Sequence, residues 1–237
     1  MIGAWFRFFR AVNLPTVPGD VLVGVAAVTA TVHRTTGCVP LAAACAAGVC
    51  LYLFGLADND IVGAKTDVGR PIPDGQISLG AARIARGLCL FAAMIAGAAA
   101  NLSPVWWVAA FLLSVTVVVY NRTKWTLAMG LCRGLNVLCG GGAALPSFCG
   151  DGAAPWIAAG VCAVVWTVYI AAVTKYSEGE EMDAAKKRRV GFLVGAIVYL
   201  QLVALLVFGV KPLLVAGAVL LVLLRFSKKI LPGVSAS

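Results

Sequence analysis

The chain has 237 residues, of which 61% are hydrophobic and only 12% are charged, and its mean hydropathy is +0.95. A soluble domain usually carries about 25% charged residues, so this composition excludes an ordinary soluble protein and indicates one embedded in a bilayer. The net charge of +9 does not indicate a nucleic-acid partner, because no basic stripe alternates with aromatic residues. Anionic lipid headgroups or anionic substrates suit it better.

The N-terminal segment begins MIGAWFRFFR, in which Arg7 and Arg10 interrupt the apolar residues. A cleavable signal peptide needs an unbroken apolar stretch followed by a small-residue cleavage site, and neither is present. Aromatic residues beside two arginines are typical of a helix lying in the membrane interface. We therefore predict an interfacial helix over 1–12.

The rest of the chain predicts about eight membrane helices, since a span needs roughly 20 apolar residues. We expect an all-α fold, a polytopic transmembrane helical bundle forming one domain over 1–237. Gly and Ala crowd these segments, which predicts close helix packing. The expected spans are 13–32, 39–57, 84–101, 104–121, 126–146, 155–174, 190–210 and 212–227.

The charged residues sort to one face of this bundle if the helices alternate in direction. Sixteen of the nineteen Lys and Arg residues and eight of the ten carboxylates then share that face. Arg34 and Lys211 fall on the other face, and Arg133 lies inside an apolar segment. The positive-inside rule places the charged face and both termini in the cytoplasm. A bacterial inner membrane is the default location, with the chemistry expected in cytoplasmic loops at 57–83 and 175–189.

The eight cysteines form no CxxC pair, and most lie in apolar segments. Cysteine is a small and readily buried residue, so we expect these side chains to pack within the bundle. A zinc site is not expected, because the single histidine, His33, falls in a loop on the other face.

The loop at 57–83 contains a group of residues suited to a metal and a phosphate. Asp67 follows Asn59-Asp60 by seven residues, a spacing that returns to the same face of a helix. Two carboxylates and an amide can hold Mg²⁺ when phosphates complete its shell. Arg70 can bind phosphate bidentately, and Pro71 then begins a segment that cannot be helical. A solvated loop with incidental charges is the alternative.

The loop at 175–189 carries a second acidic cluster followed by four cations. Glu180, Glu181 and Asp183 are candidate metal ligands in this cluster, facing the first loop. Asp183 and Lys187 are also spaced as opposite charges on one helix face, so a self-paired surface helix is the alternative.

Two pairs of polar residues lie between these loops. Tyr120 and Lys124 are four residues apart near the charged face, and Arg133 and Asn136 are three apart within an apolar segment. An arginine inside the membrane costs at least roughly 2.5 kcal/mol unless it meets a partner or a watery cavity. Arg133 therefore either lines an anion or substrate cavity or pairs with a carboxylate such as Asp20, which is itself inside the first span.

These residues resemble the UbiA family of membrane prenyltransferases over nearly the whole chain. Asn59, Asp60 and Asp67 occupy three of the four polar positions of the family's first motif, NDxxDxxxD. The segment 70–78, RPIPDGQIS, matches the family segment that follows it, and the opening RAVNLP at 10–15 is like the family's first helix. The Tyr-x-x-x-Lys pair is Tyr120 and Lys124. GLCRGLN at 130–136 looks most like the EboC-type branch.

The resemblance implies Mg²⁺-dependent transfer of an isoprenyl group from a polyprenyl diphosphate to a lipophilic or aromatic acceptor. Under it, one Mg²⁺ is bound by Asn59, Asp60 and Asp67, and a second by Asp183 with Glu180 or Glu181. The catalytic residues would be Asp60, Asp67 and Lys124. The residues expected to contact the diphosphate or substrate are Asn13, Arg70, Tyr120, Lys124, Arg133 and Asn136.

The chain also departs from the family pattern. Gly63 stands where the first motif has its middle Asp, and the second motif keeps in register only Asp183 after Lys175. The family usually has nine helices, against the eight expected here. Because of these departures, the alternative remains that the protein is UbiA-like but binds or transports a lipid or aromatic metabolite without catalysis. A secondary transporter is the third alternative, although no inverted repeat or pair of broken helices supports it.

Overall fold

A computed structural model describes residues 2–33, 35–145, 152–178 and 184–230. Within these ranges the chain forms nine α-helices, with a short 3₁₀ turn at Ala11–Asn13 and no strand. The helices are α1 (Ile2–Phe8), α2 (Thr16–Val32), α3 (Cys38–Val62), α4 (Leu79–Ala99), α5 (Pro104–Thr123), α6 (Thr126–Ala144), α7 (Ala154–Ser177), α8 (Ala184–Phe208) and α9 (Lys211–Ile230).

Seven segments of the described chain are long and apolar enough to cross a membrane, one in each helix from α2 to α8. This confirms the predicted all-α fold of an integral, multi-pass membrane protein. The eighth predicted span, 212–227, coincides with α9. This helix is not among the seven, and its 20 residues include Lys211, Arg225, Lys228 and Lys229.

Helix α2 lies at the centre of the bundle and packs against α3, α6, α7, α8 and α9. Glycines bring α2 and α6 into backbone contact. A Cβ added at Gly24 would lie 1.9 Å from the Val137 carbonyl oxygen, and one at Gly140 would lie 2.1 Å from that of Val21. These close approaches confirm that small residues act as packing positions here. The seven cysteines in the described ranges are all free.

The predicted bounds of the loop at 57–83 are wrong at both ends, because α3 and α4 extend into this range. Helix α3 extends to Val62, so that Asp58, Asn59 and Asp60 lie on its last turns. Asp58 is buried and accepts hydrogen bonds from Arg86 Nη1 at 2.9 Å and Asn121 Nδ2 at 3.0 Å. These partners on α4 and α5 stabilise a charged residue at a position that composition alone indicates to be loop.

Helix α4 begins at Leu79, earlier than predicted, because Ser78 caps it. The Ser78 hydroxyl accepts a hydrogen bond from the Ala81 amide at 3.2 Å. The non-helical segment is therefore 63–78. The predicted loop at 175–189 is also shorter, since α7 ends at Ser177 and α8 begins at Ala184.

The predicted interfacial helix over 1–12 is a seven-residue helix followed by the 3₁₀ turn. Phe8 is fully buried against Ala57 and Ile77, whereas Phe6 is 45% exposed. Helix α1 therefore has one face packed over the end of α3 and the segment 63–78, and its other face is exposed. Its position relative to the membrane interface stays a prediction.

Candidate active site

A cavity of about 440 Å³ runs between α2, α3, α5, α6, α7 and α8. It starts where α3 and α5 end, which we call the charged end of the bundle, and reaches into the middle of the helices. Eight of the twelve candidate residues line it. These are Asn13, Asn59, Asp67, Arg70, Tyr120, Lys124, Arg133 and Asn136.

Of the other four candidates, Glu180, Glu181 and Asp183 lie outside the described residues. Asp60 lies behind the wall with its side chain fully buried, and its Oδ1 is 3.3 Å from Arg10 Nη2 and 3.5 Å from Arg70 Nη1. Both arginines line the cavity. Asp60 therefore holds two cations at the cavity surface, while its Oδ2 has no hydrogen-bond partner among the described residues.

Arg10 is a cavity residue that sequence reasoning did not assign to the site. It joins α1 to the 3₁₀ turn in a left-handed conformation, with φ of 41°, which is uncommon for a residue other than glycine. Burial, and then the charge of Arg10, lower the pKa of Arg70 from its usual range. The signal that could have found Arg10 was its place at the start of the family-like segment RAVNLP.

Asp67 reaches the cavity by a route that the helical spacing did not predict. The helix ends at Val62, and the chain turns so that the Asp67 amide donates to the Gly63 carbonyl at 2.9 Å. The carboxylate then folds over Gly63, where an added Cβ would lie 2.2 Å from Asp67 Oδ2. The glycine that replaces the middle acid of the motif thus leaves room for the Asp67 carboxylate.

Segment 70–78 holds Arg70 in place through a compact set of turns. The Pro71 carbonyl accepts from the amides of Gln76 at 2.9 Å and Ile77 at 3.0 Å. Gly75 has φ of 70°, a conformation that glycine adopts at no steric cost. The segment from Pro71 to Ser78 is non-helical, as predicted, but the helix before it ends earlier, at Val62. These turns place Arg70 beside Asp60.

Lys124 and Tyr120 are in contact, although Lys124 lies just beyond the end of α5 and not on the predicted helical face. Its backbone is left-handed, with φ of 54°, and its amide donates to the Tyr120 carbonyl at 2.8 Å. Lys124 Nζ lies 5.5 Å from the centre of the Tyr120 ring and donates to Asn59 Oδ1 at 2.6 Å. Burial lowers the pKa of Lys124, and the nearby Asp67 carboxylate opposes this shift.

The deep part of the cavity is built around the buried carboxylate of Asp20. Arg133 Nε lies 2.8 Å from Asp20 Oδ2, and Arg133 Nη2 donates to Asp20 Oδ1 at 3.0 Å and to the Thr16 carbonyl at 2.9 Å. Asn136 Nδ2 donates to Asp20 Oδ2 at 3.3 Å. The ion pair with Asp20 is therefore present, and Arg133 lines the cavity as well.

Two further partners of Asp20 were not predicted. Trp166 Nε1 donates to Asp20 Oδ1 at 2.8 Å, and Gln201 Nε2 donates to the same oxygen at 2.7 Å. Gln201 is 1% exposed and stands in an otherwise apolar stretch of α8. A lone amide inside a membrane span was the signal that could have identified it.

Between its polar ends the cavity wall is mostly apolar, with Tyr52 of α3 as a polar residue in it. Asn59 and Gly48 both line it and are eleven residues apart on α3, so the wall extends about 16 Å along this helix at 1.5 Å per residue. That is about half the thickness of a bilayer's hydrocarbon core. The apolar lining includes Leu51, Leu56, Val117, Met129, Ile170 and Val173.

The oxygen atoms at the charged end fit a magnesium ion that is bound partly through phosphate. Mg²⁺ is commonly held by one or two carboxylates with substrate phosphates and waters. Asp67 supplies a carboxylate at the wall, Asn59 an amide oxygen that accepts from Lys124 Nζ, and Asp60 Oδ2 is a buried oxygen without a partner in the described chain. No group of three acidic, Cys or His ligands occurs among the described residues.

No protein-family model and no curated protein sequence matches the chain. Solved structures do match it. A digeranylgeranylglyceryl phosphate synthase superposes with a TM-score of 0.57 at 12% identity, covering 98% of this chain and 94% of the other.

A UbiA homologue from Archaeoglobus fulgidus superposes similarly. In one structure it is bound to GPP and Mg²⁺, with a TM-score of 0.54 at 14% identity, covering 92% of this chain and 99% of the other. In another structure of this homologue the TM-score is 0.55 at 15% identity, covering 99% of this chain and 90% of the other. The EboC-type branch stays a prediction, since the likeness does not distinguish branches. The chain has the fold of UbiA homologues.

Proposed function

We infer that the protein is a UbiA-type prenyltransferase that moves an isoprenyl group from a polyprenyl diphosphate to a lipophilic or aromatic acceptor within the membrane. The observation that carries this proposal is a cavity with a cationic end and a long, mostly apolar wall. The chain that forms it has the fold of a UbiA homologue that was solved with GPP and Mg²⁺ bound. A diphosphate with an apolar tail matches both parts of that cavity.

The charged end has the electrostatics to bind a diphosphate. Arg10, Arg70 and Lys124 bring three cations to the wall, against the two carboxylates of Asp60 and Asp67. Arg10 and Arg70 are held by Asp60, so their remaining N–H groups are pre-positioned for phosphate oxygens. Lys124 contributes a point charge that can turn from Asn59 to the ligand.

Asp67, Asn59 and Asp60 would hold the Mg²⁺ at this end. A second ion at Asp183 with Glu180 or Glu181 is part of the proposal and rests on the sequence. Bound Mg²⁺ supplies positive charge that stabilises the departing diphosphate.

The protein's own residues do the remaining work. Arg70 and Lys124 stabilise negative charge as the allylic C–O bond of the donor breaks. The apolar wall encloses the prenyl group and excludes water, which would otherwise capture the allylic cation. Tyr120 presents its ring beside Lys124, where an aromatic face can stabilise positive charge. A nucleophilic carbon or oxygen of the acceptor then forms the new bond and loses its proton.

A second candidate function is binding or transport of a lipid or aromatic metabolite without catalysis. Gly63 favours it, because this position supplies no carboxylate and Asp67 fills the space above it. In either case we place the active face on the cytoplasmic side, by the distribution of Lys and Arg.

Binding of geranylgeranyl diphosphate to the purified protein in nanodiscs separates the two functions. We expect tight binding that requires Mg²⁺ and is lost with EDTA or in the Asp67→Asn variant, with Mg²⁺-dependent turnover also abolished by that variant. Binding that ignores both Mg²⁺ and Asp67, or no binding, would refute prenyl transfer and favour the non-catalytic function.

A further inference from the structure

An exposed arginine, Arg225, interrupts the apolar outer face of α9. The exposed apolar side chains of this helix are Val215, Val219, Val222, Leu223 and Phe226. Ser227, two residues beyond the arginine, donates to the Val12 carbonyl at 3.2 Å, and Val12 lies at the start of the first membrane-spanning segment, Ala11–Val32. Arg225 therefore lies near the level at which that span begins, where the phosphate groups of a bilayer surround the protein.

The one partner of Arg225 among the described residues is an uncharged side chain, Tyr199 of α8. Arg225 Nη2 donates to the Tyr199 hydroxyl, and the guanidinium carbon lies 5.9 Å from the centre of the Tyr199 ring. These contacts orient the guanidinium but leave its charge unpaired. An arginine on an apolar membrane surface is unfavourable unless it meets a partner, water or lipid headgroups, so this position favours an anion.

The two side chains present free hydrogen-bond donors at the same place. Arginine carries five N–H hydrogens, and only one of those on Arg225 has an acceptor in the described part of the chain. The Tyr199 oxygen accepts that hydrogen bond, and the phenol is 41% exposed, with no acceptor for its own hydrogen among the described residues. A phosphate group can accept from the guanidinium through one pair of oxygens and from the Tyr199 hydroxyl through another.

The packing of α8 against α9 fixes the relative position of these donors. A Cβ added at Gly217 would lie 2.8 Å from Leu205 Cδ1, so the two helices are in close contact at this glycine. Leu224, the residue before Arg225, is 2% exposed and belongs to the main hydrophobic core. The guanidinium and the Tyr199 hydroxyl are therefore presented by two helices that are packed together.

The surroundings of the pair favour a lipid with a net negative charge. Positions 228 and 229, one turn further along α9, are both lysines. On the proposed cytoplasmic side of the membrane, such groups of Lys and Arg attract anionic lipids. Acyl chains can lie along the exposed apolar residues of α9 and along those that follow Tyr199 on α8, which include Leu200, Val203 and Leu206.

We propose that Arg225 and Tyr199 bind the phosphate group of an anionic phospholipid from the leaflet at the charged end of the bundle. The phosphate accepts from the guanidinium and from the Tyr199 hydroxyl, and the acyl chains cover the outer faces of α8 and α9. Neither residue lines the cavity, so this site is separate from the candidate active site and does not depend on the proposed prenyl transfer.

Native mass spectrometry of the full chain in detergent micelles tests the proposal, because it counts bound lipids. The protein is titrated with phosphatidylglycerol and, separately, with phosphatidylcholine that has the same acyl chains. We expect the first phosphatidylglycerol to bind about fivefold more tightly than the first phosphatidylcholine, since its net negative charge meets an unpaired cation. Equal affinities for the two lipids would overturn the proposal.

Two variants locate the site, and a third is the matched control. Arg225→Gln should abolish the preference for phosphatidylglycerol. Tyr199→Phe keeps the ring and the charge but removes one donor, so it should weaken phosphatidylglycerol binding about fivefold. Arg83→Gln removes an exposed cation from the first turns of α4, at the same end of the bundle, and should leave the affinity unchanged.

Unchanged affinity for phosphatidylglycerol in either Arg225→Gln or Tyr199→Phe would refute the two-residue site. An equal loss in Arg83→Gln would also refute it, because the lipid would then respond only to total charge. The same spectra report the oligomeric state, and we expect monomers that carry phosphatidylglycerol. Dimers that disappear in Arg225→Gln would overturn the proposal, since a second copy of the chain would then cover this face.

Discussion

Replacing Asp20 by Asn should strongly destabilise the protein, although the two side chains have nearly the same shape. Asp20 is fully buried and lies within 3.3 Å of donor atoms on Arg133, Asn136, Trp166 and Gln201. The change leaves the Arg133 charge without its partner. Breaking a buried ion pair in this way costs about 3–5 kcal/mol. We expect a loss of that size in the free energy of unfolding.

Unfolding by SDS titration in mixed micelles measures this loss, and two further variants show its origin. Trp166→Phe removes one hydrogen bond to the same carboxylate. Its cost should be much smaller, because hydrogen bonds between membrane helices average about 0.6 kcal/mol. Combining Asp20→Asn with Arg133→Gln removes both charges, so the double variant should be more stable than the sum of the single changes predicts by up to about 3 kcal/mol.

If Asp20→Asn costs no more stability than Trp166→Phe, the charge of Asp20 contributes nothing beyond its hydrogen bonds, contrary to this prediction. Additive effects of the Asp20 and Arg133 changes would also contradict it, because they would show that the two side chains are not energetically coupled. In either case the ion pair between Asp20 and Arg133 would not stabilise the deep part of the cavity.

Three other changes test the charged end. Gly63→Ala should weaken binding of geranylgeranyl diphosphate with little change in thermal stability, because the added methyl displaces only the Asp67 carboxylate; unchanged binding would contradict this. Donor binding should weaken as the pH rises through the pKa of Lys124, which burial lowers from its ordinary 10.5, because the side chain then loses its positive charge. Lys124→Arg should shift this loss of binding to higher pH, because arginine keeps its charge. Asp58→Asn should lower the free energy of unfolding by only about 1 kcal/mol, since the Arg86 side chain that loses its charged partner is 37% exposed, without changing Mg²⁺ dependence.

The helices could be predicted from the sequence because the bilayer requires long apolar segments and small residues where helices meet. Their ends could not be predicted as well. Asp58 is charged, which suggests a loop, yet it continues α3 because Arg86 and Asn121 satisfy it from neighbouring helices. Ser78, in contrast, starts α4 through a local cap that involves only the Ala81 amide three residues on.

Some residues of the candidate site could likewise be predicted from the sequence, whereas others could not. Arg133 and Asn136 could be identified because polar residues three apart on one helix share a face, and the observed cavity contains both. Gln201 could not be linked to Asp20, because 181 residues separate them and only the packing of α8 against α2 brings them together. The position of Asp60 behind Arg10 could not be predicted either, since it depends on the left-handed backbone of Arg10.

The exchange of the middle acid of the first motif for Gly63 has a structural consequence beyond the loss of one ligand. With no side chain at position 63, the Asp67 carboxylate folds over the end of α3 and still reaches the cavity. Asp60, behind the wall, is committed to Arg10 and Arg70. The charged end thus combines three cations with one carboxylate at its surface, so direct contacts from Arg10, Arg70 and Lys124 add to the positive charge of the metal in binding a diphosphate. Arg70→Ala should therefore weaken binding of geranylgeranyl diphosphate even when Mg²⁺ is saturating, and unchanged binding by this variant would contradict the role given to Arg70.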